Sequence, residues 1–188
     1  MPMPVKFNPT RISAVMLVET GRIHDERGFF SEAYSEGVWR KAGFSSAFVQ
    51  DNLSKSAKGT LRGMHYQIVP HAMGKFVQVV SGAVFDVAVD LRHSSPTFGQ
   101  WVGHTLTGDR PVSMWIPPGF AHGFLALEDD SFVYYKCTQM HTPDAERSLH
   151  YADPQVAIAW PIEPVIVSQK DREAPTLDHA EHNFSYTP

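Results

Sequence analysis

The run Leu61-Arg62-Gly63-Met64-His65-Tyr66-Gln67 places an imidazole close to a guanidinium, and Lys75 and Asp86 follow on the next two apolar stretches. A base beside cations suits enolate chemistry. A C–H next to a carbonyl is a feeble acid, so one group must take the proton while a cation or hydrogen-bond donor holds the oxygen. On a regular strand Leu61, Gly63, His65 and Gln67 share one face and Arg62, Met64 and Tyr66 the other. Arg62 and His65 therefore point the same way only if a bulge intervenes. A lone histidine is by default a packed or surface residue, and here its company argues for chemistry. A second signal is Pro117-Pro118-Gly119-Phe120-Ala121-His122, where two prolines and a glycine make a sharp turn that delivers His122 to the start of a strand.

These residues need a scaffold, and length and composition bound it. A chain of 188 residues that is 43% hydrophobic can bury one good core, so a single domain over 1–188 is expected. A formal charge of −4 and scattered arginines give no basic stripe to follow a phosphate backbone, so no nucleic acid is expected as a partner. The single cysteine, Cys137, rules out an internal disulfide framework. The start, Met1-Pro2-Met3-Pro4-Val5-Lys6, has neither an apolar leader core nor transit-peptide character, and no apolar run reaches the roughly 20 residues needed to span a bilayer. A cytoplasmic protein with no membrane partner is the expectation.

Short runs rich in Val, Phe, Tyr and Thr, punctuated by Gly, Pro, Asp and Ser, predict an all-β chain. Strands are expected over Ile12–Glu19, Gly28–Tyr34, Ala47–Lys55, Gly59–Gln67, Lys75–Ser81, Ala83–Asp90, Gln100–Thr107, Val112–Ile116, His122–Ala126 and Ser131–Thr138, with a late one near Ala157–Trp160. Ser81-Gly82 reads as a tight hairpin turn. Glu36–Ala42, closed by Gly43, reads as a helix, and a second short helix is expected after Ser168 or Asp171, before Pro175. Many evenly spaced short strands indicate a sandwich or barrel of jelly-roll type.

The spacing P-x-G-x-x-H at Pro117–His122 resembles the second motif of the cupins, which are small jelly-roll barrels (double-stranded β-helices). In metal-binding cupins this histidine joins a His-x-His pair and a glutamate. Here the pair reads His65-Tyr66-Gln67 and Lys75 stands near the acidic position, so the resemblance implies the barrel and argues against a metal. Seven stretches in order resemble the dTDP-4-dehydrorhamnose 3,5-epimerase family of that superfamily: Asp25–Phe30, Phe48–Asn52, Leu61–Gln67, Gly74-Lys75 with Val84–Asp90, Ser95–Trp101, Trp115–Pro117 through His122–Phe124, and Lys170-Asp171. They run from about residue 10 to about residue 180.

The resemblance implies inversion of the two carbons flanking the ketone of a dTDP-linked 4-keto-6-deoxyhexose, without a cofactor, in deoxysugar biosynthesis. It implies His65 as the base, Asp171 as its carboxylate partner and Lys75 facing the oxyanion, with His122 and Asp86 as supporting polar groups. It further implies that Gln50, Asn52, Arg62 and Lys170 line the nucleotide end, while Arg27 and Glu32 reach across from the partner in a strand-exchanged homodimer. One departure stands out. Aligned on Lys136 and Pro143, the family's proton-donating tyrosine falls on Met140, and a thioether has no proton to give. His141, on the other side if the segment is regular strand, or a water is then the replacement acid.

Four readings follow: a 3,5-epimerase, an epimerase of one carbon or of a related sugar nucleotide, a non-catalytic nucleotide-sugar-binding cupin, and a metal-dependent cupin using His65, His71 and His122. Retention of His65, Lys75 and Asp171 speaks against the pure binder. Plainer roles are expected elsewhere. His179 and His182 read as part of a solvated tail, Trp101, Trp115 and Trp160 as core, and Cys137 as a small apolar strand residue. Phe120 and Phe124 read either as sugar contacts or as plugs of the barrel mouth.

Overall fold

The computed structural model describes residues 4–44 and 47–187. The Met1-Pro2-Met3 stretch read for a leader lies outside them. The strands, in chain order, are β1 Val5–Pro9, β2 Met16–Thr20, β3 Ile23–Asp25, β4 Gly28–Phe30, β5 Gln50–Ser56, β6 Thr60–Gln67, β7 Lys75–Ser81 and β8 Ala83–Asp90, followed by β9 Arg92–His93, β10 Trp101–Thr107, β11 Val112–Ile116, β12 Phe120–Ala126, β13 Ser131–Cys137, β14 Glu146–Ser148, β15 Ile166–Val167 and β16 Phe184–Ser185. Helix α1 spans Glu36–Lys41 and α2 Gln169–Arg172.

Two sheets carry the fold. The first runs β1-β2-β11-β7-β13-β5 and the second β10-β8-β12-β6-β14, with β15 parallel to β6. The consecutive strands β7 and β8 lie in different sheets, so the Ser81-Gly82 turn is not a hairpin within one sheet but the corner between two. Gly82 turns it at φ 74°, and a Cβ there would press on Ser131. This is a cupin-type jelly-roll barrel. Its interior is filled by Val77 and Val79 of β7, Val84 and Ala88 of β8, Val102 and Leu106 of β10, Met114 and Ile116 of β11, and Phe120 and Phe124 of β12.

Helix α1 sets Trp39 against Phe76 and Trp115 on the outside of the first sheet. The C-terminal segment covers the outside of the second with Leu177, Ala180 and Phe184. The polar run read as a solvated tail is therefore docked: β16 pairs with β9, and the His182 ring lies 4.5 Å from that of His93. The late strand expected at Ala157–Trp160 is irregular, with Ala157 at φ 48° and the Trp160 indole donating to the Tyr151 carbonyl. The strand expected from Ile12 begins only at Met16, because Ile12 and Val15 bond to each other in a turn. The one expected at Gly28–Tyr34 stops at Phe30.

Candidate active site

Strand β6 reconciles two residues that alternation would separate. In its pairing with β12, His65 faces His122 and Arg62 faces Phe124, so β6 advances three residues where β12 advances two. This is a bulge, and it turns Arg62 and His65 into one cavity. Glycines make it feasible: Gly63 sits at φ 132°, and a Cβ on it would collide with the Gly123 backbone.

Strand β15 lies beside β6 and delivers α2 to the same place. Ser168 caps that helix by accepting from the Asp171 N–H at 3.1 Å, and the Asp171 carboxylate stands 2.6 Å from His65 Nε2. A carboxylate only accepts, so Nε2–H donates and Nδ1 keeps the free lone pair. Burial pushes the Asp171 carboxyl upward, but the His65 hydrogen bond and charge, with Ser168 and the Gly63 N–H, outweigh it and hold it below the usual carboxylate range. The second dyad, His122 Nε2 to Asp86 Oδ1 at 2.7 Å, is buried. Burial lowers the His122 pKa against the opposing pull of Asp86. Asp86, a surface residue by default on a strand, is fully enclosed.

The opposite wall belongs to the first sheet. On β13 Tyr135 and Cys137 face inward, while Lys136 points out to Asp51 at 2.8 Å. Lys75 pairs in register with Cys137, and its ammonium lies 6.0 Å from the Tyr135 ring. Burial lowers the Lys75 pKa, and the negative charges of Asp86 and Glu146 work against that shift. Burial also raises the Tyr135 phenol, which keeps it protonated.

His65, Lys75 and Tyr135 are shared by two adjoining hollows of about 470 and 310 Å³. Arg62, His122, Phe124 and Lys170 line the first, and Gln50, Asn52, His141 and Glu146 the second. Phe124 is thus a cavity wall, while Phe120 is packed under Arg92. Strand β13 ends at Cys137, so alternation does not govern Met140 and His141. His141 faces the cavity, with Nε2 3.6 Å from Glu146, and Met140 stands exposed at the rim. Two carboxamides hold that loop: Gln50 accepts from the His141 N–H and Gln67 from the Thr142 N–H.

Two expected residues are not brought together with the rest. Arg27 is on the exposed β3–β4 hairpin, paired with Asp25, and Glu32 is exposed beyond it; neither lines this chain's cavity. Tyr135 and Glu146 are among the lining residues that the sequence pattern did not single out. Alignment on Lys136 and Pro143 points to Met140 instead of Tyr135, although strand alternation sets Tyr134 and Tyr135 on opposite faces. Glu146, which pairs with Lys170 at 2.6 Å, had no local signal because it enters on a three-residue strand. Among the described residues no three His, Cys, Asp or Glu side chains converge as metal ligands.

The family model described as dTDP-4-dehydrorhamnose 3,5-epimerase matches residues 9–179. The chain belongs to this family. It is 46% identical over 179 residues to the dTDP-4-dehydrorhamnose 3,5-epimerase of Pseudomonas aeruginosa, covering 94% of this chain and 98% of that one. Among solved structures it resembles the dTDP-6-deoxy-D-glucose-3,5-epimerase of Legionella pneumophila in complex with dTDP-4-keto-L-rhamnose, with TM-score 0.90, 46% identity and 94% of each chain covered. It also resembles a 3'-monoepimerase of Streptomyces bikiniensis in complex with dTDP-quinovose, with TM-score 0.85, 35% identity, and 91% and 87% covered. Membership makes the chain a carbohydrate epimerase, an isomerase.

Proposed function

We propose that the cavity binds a dTDP-linked 4-keto-6-deoxyhexose and inverts C3 and C5 through an enolate, with His65 as base and Tyr135 as acid. The observation that carries this reading is the placement of the two groups in different sheets, one on each wall of the same cavity. Inversion needs a proton removed from one face and returned to the other, and a base and a phenol on opposite walls meet that need. His65 Nδ1 takes the C–H proton, and Asp171 steadies the imidazolium that results. Lys75, kept beside Asp86, holds the developing C4 oxyanion. Tyr135 returns a proton from the opposite wall, and ring reorientation presents the second carbon to the same pair.

In the Streptomyces bikiniensis 3'-monoepimerase a histidine and a tyrosine are replaced together in a double mutant solved with dTDP. His65 and Tyr135 stand at that same spacing in this chain, which supports the pairing and removes the need for His141 or water as acid. Lys170, Arg62, Gln50 and Asn52 form the rim on which the diphosphate and base are held. Arg27 and Glu32 complete the site of a second copy of the chain. The test is proton NMR of dTDP-4-keto-6-deoxyglucose with enzyme in deuterated buffer, reading C3 and C5 separately. Exchange at both carbons is expected. Exchange at one alone makes the chain a mono-epimerase, and none refutes the substrate.

A further inference from the structure

The inner face of the second sheet carries a row of ionisable groups that continues past the active site. Strands β6, β12, β8 and β10 are neighbours in that order, and they bear His65, His122, Asp86 and His104. His65 and His122 are register partners, as are Asp86 and His104. Alternation puts His104 inside with Val102 and Leu106, both in the barrel core, just as Asp86 lies between the core residues Val84 and Ala88. Cross-strand partners on one face stand side by side. Asp86 spends one oxygen on His122, while its other oxygen is buried with no hydrogen-bond partner among the described residues. His104 is half-buried and opens on its far side to a separate hollow formed by Arg11, Leu17 and Trp101.

We propose that His104 is a positioning residue that couples the acidity of the outer hollow to the active site, its protonation drawing the Asp86 carboxylate away from His122 and Lys75 and lowering turnover at acid pH. The inference rests on the epimerase reading for its consequence, though not for the coupling itself. The step is a single proton addition from solvent to the His104 ring. The new imidazolium competes for a carboxylate that, together with Glu146, offsets the Lys75 charge. The groups around His104 set the balance: burial opposes the proton and Asp86 on β8 favours it, Arg11 lines the shared hollow, His122 is bonded to Asp86 and Lys75 feels its charge, and β11 brings no ionisable side chain. Burial of the ring holds the His104 pKa below its ordinary value, with Asp86 acting against the shift.

The experiment compares the acid limb of kcat/KM for wild type and H104Q, each normalised to its own plateau. Removal of the inactivating protonation at His104 makes the limiting logarithmic slope of the acid limb shallower by about 1 in H104Q than in wild type. One pH unit below the His104 pKa the wild type falls about tenfold further beneath its plateau than the variant. Superimposable profiles overturn the proposal. A second readout needs no turnover: the His104 ring, followed by carbon-edited NMR, titrates about one unit lower in D86N than in wild type. An unmoved His104 titration overturns the coupling, whereas a wild type inactive on the dTDP sugar overturns only the substrate reading. Should D86N fail to fold, the His122 titration in H104Q gives the same answer, shifting upward if the two rings compete for Asp86 and staying fixed if they do not.

Discussion

Reversal of configuration at a carbon requires two proton carriers, and Tyr135→Phe separates their roles. The phenylalanine keeps the ring that lines both hollows but has no proton to return. His65 and Lys75 still form the enolate, so deuterium continues to wash into the substrate while net inversion falls on the order of 10²-fold or more. Loss of wash-in together with inversion would move the phenol from acid to a binding role. Lys75 supplies a pH signature. Burial lowers its pKa, so the ammonium is lost as pH rises through a value below the usual lysine range, and turnover falls with it. Lys75→Arg cannot deprotonate in that window, so its alkaline limb moves upward even though the larger cation lowers the plateau. An alkaline limb unchanged in Lys75→Arg would assign the limb to another group. Asp171 titrates the other way. Its folded pKa is depressed, so the stability it contributes is present above the unfolded value of about 3.9 and is lost as pH falls through the folded one.

The shortest elements of the fold carry some of its most consequential groups. Helix α2 has four residues, too few to form by propensity, and stands on the Ser168 cap and the two-residue pairing of β15 with β6. Ser168→Ala removes the acceptor of the Asp171 N–H, a loss of about 1 kcal/mol. The same change loosens the carboxylate that orients His65. Thermal stability should fall slightly and kcat by a larger factor, with KM little altered. A raised KM with kcat unaltered would mean that α2 serves binding instead.

These elements also mark the boundary of what the chain's pattern discloses. The long strands β6, β7, β8, β10, β11 and β13 alternate or run apolar over five residues or more, and they were legible with their edges nearly right. Strands β14, β15 and β16 are two or three residues long, too short for any period to emerge, and their pairing depends on partners about eighty to over a hundred residues away. The same distinction holds in the cavity. His65, His122, Lys75 and Asp86 lie on long strands with recognisable surroundings, whereas Glu146 and the inward turn of His141 depend on where a loop falls after β13 ends. The bulge at Gly63 was visible only as a condition: Arg62 and His65 had to share a side for the chemistry to work.

The whole molecule is acidic, at −4, yet its cavity is ringed by Arg62, Lys75 and Lys170, a local field suited to a diphosphate. No helix among the described residues is long and apolar enough to cross a membrane. What the molecule leaves unfinished is the β3–β4 hairpin. Ile23, Phe29 and Phe30 are 58%, 55% and 67% exposed there, beside Arg27, and an apolar ribbon of this kind asks for cover. If it docks on a second copy, Arg27 and Glu32 enter that copy's site, and each site draws on two chains. Two inactive variants can then repair each other. His65→Ala has an intact hairpin and no base; the double variant Arg27→Ala with Glu32→Ala has an intact base and no hairpin charges. Co-expressed with separate tags, half the dimers are mixed, and one of the two sites in each mixed dimer contains only native residues. Activity should return to about a quarter of the wild-type level. If the hairpin served its own chain, every site in the mixture would stay defective and no activity would return, whatever the oligomeric state.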